Sequence, residues 1–366
     1  MYSEETLYSI ALRACPLVGD INFMKLVEAA GSAKEAWQLS KAMLKDISGI
    51  GTKISKNIGD ASYLAFAEKE LLFCQKNNIQ IKLRHRNQLP PLLSECDDAP
   101  AILYQKGNYD EKLQSISIVG TRKMTAYGKK FIEEFVDAVK DKNVLITSGL
   151  ALGTDGCAHQ EALKNKVPTV AVLAHGLHLI YPNVHEKMAD EILKNGGALL
   201  SEFNSHDKPD REHFLQRNRI VAGVSQVTLV IETAFGGGSM STVSHANQYN
   251  RDVYALPGRI SDKFSQGCNM IIAQNKAKII SSVQELIEDI GLNRQEKLGQ
   301  LFQPKDIQLD ERLAPIYQCI AKNNPISLDD LSLQLSLPPF KILPILLDLE
   351  LLGYVKALSG KQYAAV

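Results

Sequence analysis

The sequence lacks the features that mark several large classes of protein. Its six cysteines, in 366 residues, include no C-x-x-C pair, which argues against a zinc site and a disulfide framework and favours a reducing compartment. No apolar run approaches the roughly 18 residues of a membrane-spanning helix. The first residues also lack the charged-then-apolar pattern of a secretion signal. We therefore expect a cytoplasmic protein without a membrane anchor.

Neither sign of charge is in excess, and the common cofactor and catalytic motifs are missing. The 41 basic residues balance 41 acidic ones, so binding to nucleic acid would need a local basic patch. Neither G-x-G-x-x-G nor G-x-x-x-x-G-K-[ST] occurs, so an ordinary dinucleotide or ATP site is not supported. There is also no HExxH, no nucleophile elbow and no histidine pair at metal-ligand spacing. We expect neither a catalytic site, nor a metal, nor a cofactor.

The strongest positive signal is the alternation of short β-rich runs with helical patterns from residue 115 onwards. This alternation is typical of βαβ units and predicts an α/β protein with a doubly wound, mostly parallel, Rossmann-like sheet over 76–290. Two short strands near the start of that range should extend the sheet. The rest of the chain divides into a helical module over 1–75, a polar linker over 291–310 and a small domain over 311–366.

Both flanking modules have the outline of DNA-binding elements. Residues 44–58 form a helix, glycine turn, helix pattern like that of helix-hairpin-helix or SAM-like domains, and 12–26 carry a weaker copy. Simple packing of a helical hairpin is the favoured interpretation there. The tail shows three helical patterns and a hairpin, the outline of a winged helix. Its third helix, over 338–351, carries one basic and two acidic residues, so contact with protein or packing is favoured over DNA reading.

Three glycine-bearing loops follow predicted strands and should meet at the carboxyl edge of the sheet, where open α/β sheets bind ligands. Glycine permits close backbone approach, and N–H groups at a helix start favour an anion. Any one loop can be explained as a plain strand-to-helix turn, but a succession of them suits the successive phosphates of a nucleic-acid strand. The candidate binding residues are Gly120, Thr121, Arg122, Ser148, Gly149, Gly153, Asp155, Gly237, Gly238, Ser239 and Thr242, with Asn269 after the next strand.

A further candidate segment, residues 206–221, combines cations with an aromatic ring. Arg217 and Arg219 flank Asn218, and Phe214 lies one helical turn before Arg217. Guanidinium groups match phosphate oxygens and stack on bases, and an aromatic face can hold an unpaired base. A solvated charged surface with Phe214 in the core is the alternative. Binding is favoured because Arg217 precedes another strand of the same sheet.

The order and spacing of these motifs resemble the DprA/Smf family of DNA-processing proteins. The resemblance implies a protein that binds single-stranded DNA in a basic pocket, forms a homodimer and loads the recombinase RecA onto incoming DNA in natural transformation. It also implies that Arg122, Phe214, Arg217 and Arg219 line the pocket. The matching segments are 119–122 (VGTR), 148–155 (SGLALGTD), 181–182 (YP), 217–220 (RNRI), 237–242 (GGSMST), 257–258 (PG) and 267–269 (GCN).

The chain departs from the family pattern in two places, and an enzyme class offers the alternative function. Thr121 replaces the usual serine. Some relatives carry lysines just after the segment at 181–182, and in this chain Lys187 is the only candidate for such a basic contact. The alternative is a nucleotide-processing phosphoribohydrolase of the lysine-decarboxylase-like (LOG) type, which resembles this chain in its sheet and uses a glutamate in P-G-G-x-G-T-x-x-E. Here Thr242 is followed by VSH, with no acid, so hydrolysis is disfavoured.

Overall fold

The computed structural model divides the chain into two compact units, Met1–Arg294 and Gln295–Val366. The predicted linker over 291–310 lies almost wholly outside the described residues, and the domain boundaries predicted near 75 and 310 stay predictions. The residues that the structure describes are 3–292, 312–358 and 361–365.

Six helices open the first unit. The side chains of Ser3, Ser32 and Asp60 each accept an N–H group from the first turn of the helix that follows them, and such caps explain where these helices begin. The predicted helix, glycine turn, helix pattern forms α4 and α5, with Gly49 in the left-handed region at φ +89°. The six helices are α1 (Glu4–Ala14), α2 (Asp20–Ala30), α3 (Ala33–Gln38), α4 (Lys41–Asp46), α5 (Thr52–Ser55) and α6 (Ala61–Lys76).

A nine-stranded sheet follows, with the order β1-β2-β6-β5-β4-β3-β7-β8-β9. The pairs from β6 to β9 are parallel, whereas β1 and β2 add an antiparallel edge. The chain runs outward from β3 to β6 and then returns to the other side of β3 at β7, so the strand order reverses between β3 and β7. This is the predicted doubly wound, mostly parallel sheet. Its strands are β1 (Ile79–Leu83), β2 (Ile102–Gly107), β3 (Gln114–Val119), β4 (Val144–Ser148), β5 (Thr169–Val172), β6 (Ala198–Ser201), β7 (Val227–Val230), β8 (Asp252–Ala255) and β9 (Lys278–Ile279).

Helices cover both faces of the sheet, because its parallel strands are apolar on both sides. Ile116 and Ile118 of β3 point to a core that includes Phe135, while Leu145 of β4 belongs to a second core with Ile220. No described helix combines the length and apolar composition needed to cross a bilayer. The helices are α7 (Pro91–Ser94), α8 (Ala126–Val139), α9 (Thr154–Lys164), α10 (Glu186–Lys194), α11 (Arg211–Gly223), α12 (Ser239–Gln248), α13 (Gln266–Ala273) and α14 (Val283–Asp289).

The N-terminal helices share a continuous core with one end of the sheet. Phe23 and Trp37 belong to the same buried cluster as Ile102 of β2 and Leu199 of β6. The helical module is therefore packed against the strands, and changes in its residues can reach the sheet through side-chain contacts.

The second unit is a winged helix with a core of its own. Ile316, Leu331, Ile342 and Leu346 are buried together, and its three strands pair antiparallel in the order β10-β12-β11. This arrangement confirms the predicted winged helix. Its elements are α15 (Ala314–Lys322), β10 (Ile326–Ser327), α16 (Leu328–Leu335), α17 (Pro339–Leu351), β11 (Val355–Leu358) and β12 (Gln362–Ala365).

Candidate nucleic-acid interface

A cavity of about 1000 Å³ opens at the carboxyl edge of the sheet, where the strand order reverses. Its walls come from the loops that follow β3, β4 and β7, and from one face of α11. The three loops that the sequence singled out are therefore neighbours in space. Of the predicted binding residues, those that line the cavity are Gly120, Thr121, Arg122, Gly149, Asp155, Phe214, Arg217, Asn218, Gly237, Gly238, Ser239 and Thr242.

Helix α11 sends one face toward the cavity. Phe214, Arg217, Asn218 and Val221 line it, at the spacing that places residues on one side of a helix. Arg219 follows Arg217 by two residues, which is a rotation of about 200° on a helix. The structure accordingly places Arg219 outside the cavity lining, against the prediction that both arginines line the pocket.

Arg219 forms a buried cluster with carboxylates on the other side of α11. Its guanidinium donates to the Glu202 carboxylate and, at 3.1 Å, to Oδ2 of Asp20, the first residue of α2. Burial raises the pKa of Glu202, while the charge of Arg219 acts to lower it. Only 7% of Arg219 is exposed. This arginine joins α11 to the N-terminal helices, so its charge is already used within the protein.

Two guanidinium groups and a second aromatic ring surround Phe214. The guanidinium carbon of Arg122 lies 5.0 Å from the centroid of the Phe214 ring, and that of Arg217 lies 5.9 Å away. The Tyr181 ring is 6.0 Å from the same centroid. Arg122 is exposed and Phe214 is half-buried. An exposed cation beside an accessible ring offers a phosphate partner and a stacking surface at one point.

Arg217 is buried and holds the second of the three loops, the one that follows β4, in place. Its Nη1 donates to the carbonyl oxygen of Gly149 at 2.7 Å and to that of Val172, and only 3% of the residue is exposed. Any Cβ at position 149 would overlap this guanidinium. Burial raises the pKa of the neighbouring Asp155, against the lowering effect of the Arg217 charge, and Asp155 accepts the Ala151 N–H at 3.3 Å. Arg217 therefore positions the loop as well as lining the cavity.

The first and second loops are fastened to each other. The N–H and the hydroxyl of Thr154 both donate to the carbonyl oxygen of Thr121 at 3.1 Å. Gly153 has φ +76°, and a Cβ there would lie 2.5 Å from the Thr121 oxygen and 2.6 Å from the carbonyl carbon of Arg122. Gly153 is needed for this close approach, and it lies outside the cavity lining.

Gly153→Ala should lower the free energy of unfolding by about 2–4 kcal/mol, because a strained φ and a backbone overlap each cost about 1–3 kcal/mol. Urea denaturation followed by fluorescence of Trp37, the single tryptophan, measures this. Gly196→Ala is the matched control, since Gly196 has φ +74° but no atom within 4 Å of the added Cβ. Equal losses in the two variants would contradict the contact between the loops.

The third loop offers free backbone donors at the start of α12. The N–H groups of Gly238 and Ser239 have no hydrogen-bond partner in the part of the chain that the structure describes. The Asn218 side chain donates to the Gly238 carbonyl at 3.2 Å and to the Ser241 hydroxyl at 2.8 Å. The Ser239 hydroxyl donates to Thr233 at 2.8 Å. The loop is thus held by side chains while its amides stay available to an anion.

Two other predicted residues serve the backbone instead of the cavity. The Ser148 hydroxyl is buried and donates to the Ile118 carbonyl at 2.6 Å. The Asn269 side chain both donates to the carbonyl of Gly258, at 2.9 Å, and accepts its N–H, at 3.2 Å. Both lie outside the cavity lining, and their polar atoms are used by backbone groups of neighbouring segments.

The cavity also contains residues that the sequence reasoning did not select. Lys208 and Arg211 lie in the charged segment that was singled out, and both are exposed. The two carboxylates in the lining, Asp155 and Asp210, are already engaged: Asp210 caps α11 by accepting the Glu212 N–H at 2.9 Å. Cations therefore dominate this surface of a chain with zero net charge. The other lining residues outside the predicted set of binding residues include Lys123, Tyr181, Leu215 and Phe264.

Two family models match the chain. Residues 80–291 match the DNA recombination-mediator protein A family, a range that contains the whole cavity. This chain belongs to the DprA family. Residues 300–361 match the DprA winged helix domain, in agreement with the second unit.

Curated DprA and Smf proteins from several bacteria align with more than half of the chain. Protein Smf of Synechocystis sp. is 33% identical over 300 residues, covering 80% of this chain and 74% of that protein. Protein Smf of Escherichia coli K12 is 32% identical and covers 80% and 79%. DNA processing protein DprA of Streptococcus pneumoniae is 38% identical over 54% of this chain and 69% of its own length.

Solved structures of DprA proteins match the fold. The X-ray structure of DNA processing protein A from Streptococcus pneumoniae superposes with a TM-score of 0.66 at 31% identity, covering 78% of this chain and 98% of that one. DNA processing protein A from Helicobacter pylori, which binds single-stranded DNA, superposes with a TM-score of 0.51 at 28% identity, over 58% and 95%. The family predicted from the sequence motifs is therefore confirmed.

Proposed function

We propose that this chain binds single-stranded DNA in the cavity and loads the recombinase RecA onto incoming strands during natural transformation. It acts as a homodimer in the cytoplasm. The DprA family and the single-strand binding of the Helicobacter pylori protein support this function. The observation that most supports this function is the exposed guanidinium of Arg122, which lies 5.0 Å from the Phe214 ring at the edge where the strand order reverses.

The chemistry of the cavity suits an unpaired strand better than a duplex. Phosphates can contact Arg122, Lys208 and the free amides of Gly238 and Ser239, and all these contacts are independent of base identity. The half-buried Phe214 ring can be reached only by the face of an unpaired base, because duplex bases are stacked on each other. We therefore propose binding with little sequence preference.

Catalysis is not part of the proposal. A phosphoribohydrolase needs a free acid near the third loop, but Asp155 and Asp210 are held by backbone N–H groups. Glu232, two residues after β7, accepts the N–H of Thr125 at 2.7 Å and its hydroxyl at 2.6 Å, and so holds the start of α8. These engagements support a role in binding and not in hydrolysis.

Arg122→Ala should weaken binding of a labelled oligo-dT strand by about 1–3 kcal/mol and reduce the slope of affinity against salt by about 0.7. The reason is that the removed guanidinium is exposed and lines the cavity, where a phosphate can reach it. Fluorescence anisotropy at several salt concentrations measures both quantities. Arg86→Ala is the control, because it removes an exposed arginine outside the cavity lining. Affinity and salt slope that match the control would contradict the proposed site.

The wider function is tested by comparing oligo-dT with a duplex of equal length and then following RecA filament assembly on the bound strand. We expect preference for the single strand, and faster RecA assembly with the wild-type protein than with Arg122→Ala. Equal affinity for duplex would overturn the single-strand site. Tight single-strand binding without any effect on RecA assembly would overturn the loading function alone.

A further inference from the structure

Helix α17 of the winged helix has a second apolar face that lies in solvent. Phe340, Leu343, Leu347 and Leu351 are 71%, 44%, 56% and 77% exposed. Their spacing of three and four residues places them in one stripe along the helix. The core-facing side is a different set, which includes the fully buried Leu346. A continuous apolar stripe of this kind is typical of a binding surface.

Two opposite charges flank this stripe without partners. Lys341 and Asp348 are seven residues apart, so they lie on the same flank of α17, two turns from each other. Neither side chain makes an ion pair or hydrogen bond within the described residues. Glu350 differs, because its carboxylate accepts the N–H of Ala357 at 3.3 Å. The flank therefore has a free cation toward one end and a free anion toward the other.

We propose that α17 docks against α17 of a second copy of this chain, antiparallel about a two-fold axis. In that geometry the same flank of each helix faces its counterpart with the ends exchanged. Each Lys341 then meets the Asp348 of the other copy, which gives two equivalent ion pairs beside a closed apolar seam. In a parallel pair the two identical flanks would lie on opposite sides of the seam, so Lys341 and Asp348 of the two copies would not meet. The pairing of these two charges therefore selects the antiparallel arrangement.

The same face is poorly suited to nucleic acid. A helix that enters a DNA groove needs an excess of positive charge, whereas α17 carries Lys341 against Asp348 and Glu350. Four large apolar side chains would also face phosphates and groove water. The charge pattern is complementary to itself, which identifies a second copy as the occupant.

The expected association is weak. One helical stripe offers less than the roughly 800 Å² per partner that a standard interface buries, so a dissociation constant in the micromolar range is expected. This contact uses residues of the second unit alone, and it adds one association step to any dimer made through the sheet unit.

Sedimentation velocity of the full chain, from about 1 to about 100 µM, tests the proposal. We expect Leu347→Glu, Lys341→Glu and Asp348→Lys each to raise the dissociation constant of one association step at least about tenfold, through like-charge contacts or a buried charge. The exchanged pair Lys341→Glu with Asp348→Lys should return to within about threefold of wild type. Lys356→Glu, another exposed lysine of the same unit, is the control and should change nothing.

Failure would be visible in several ways. A wild-type chain with no concentration dependence, or a Leu347→Glu variant that associates like wild type, overturns the docking surface. Single charge variants that weaken association while the exchanged pair does not recover overturn the antiparallel geometry. Loss of duplex DNA binding in Leu347→Glu with unchanged association would make α17 a nucleic-acid surface instead. Circular dichroism confirms that each variant, altered only at exposed positions, is folded.

Discussion

Replacing Arg217 with alanine should lower the free energy of unfolding by about 3–5 kcal/mol, the range found when one partner of a buried charged cluster is removed. The variant leaves the carbonyl groups of Gly149 and Val172 without their donor, and it leaves Asp155 buried without a nearby cation. Each unsatisfied buried acceptor costs about 1–3 kcal/mol. The second loop should also lose its position, so single-strand binding falls together with stability.

The measurement is urea denaturation followed by fluorescence of Trp37, which lies in the core shared by the N-terminal helices and the sheet. Arg211→Ala is the matched control on the same helix, because Arg211 is exposed and lines the same cavity; its stability should change by less than about 0.5 kcal/mol. Adding Asp155→Asn to Arg217→Ala should recover part of the loss. Equal stability of the Arg217 and Arg211 variants would show that Arg217 is not a positioning residue.

Arg219→Ala should lower the free energy of unfolding by about 3 kcal/mol or more, because the Glu202 carboxylate then stays buried without its cation. The side chain of Glu202 is only 2% exposed. Asp20 loses less, since Arg13 still donates to it at 3.1 Å. The folded variant should bind oligo-dT with wild-type affinity and salt slope, since Arg219 lies outside the cavity lining.

Arg219→Ala is measured by the same denaturation, and by anisotropy under conditions where it is fully folded. Combining it with Glu202→Gln, which removes the stranded charge and keeps the shape, should restore part of the stability. A reduced salt slope in folded Arg219→Ala, like that expected for Arg122→Ala, would show instead that Arg219 contacts the strand.

Much of the fold could be predicted because its signals are local. Apolar runs that end in glycine loops predicted the parallel strands, and helical spacing predicted α11, α16 and α17 closely. The meeting of the three loops then followed from a general rule for open sheets. The orientation of Arg219 could not be predicted fully, because its partner Asp20 is 199 residues away in sequence. Helical geometry alone does show that Arg217 and Arg219, two residues apart, face opposite directions.

The roles of the loop residues were less predictable, because they depend on tertiary contacts. Gly153 and Ser148 are residue types typical of a phosphate-binding loop. In the structure, however, Gly153 is needed for the close approach to Thr121, and the Ser148 hydroxyl donates to the carbonyl of Ile118 in β3. Arg217 was predicted as a phosphate ligand, and the structure shows that its donors also hold two carbonyls of the protein. Sequence composition alone does not distinguish a hydrogen-bond donor that is available to a ligand from one that already donates to a group within the protein.

The placement of Arg219 constrains how the protein can be recombined with its relatives. Asp20 and Glu202 pair with Arg219 on the side of α11 away from the cavity, while Phe214 and Arg217 line the cavity on the other side. The N-terminal helices therefore cannot be exchanged as an independent segment. A chimera that imports this segment from another bacterium must also import an acidic side chain at the position of Asp20. Without it, we expect the graft to lower the stability of the first unit even though every cavity residue is unchanged.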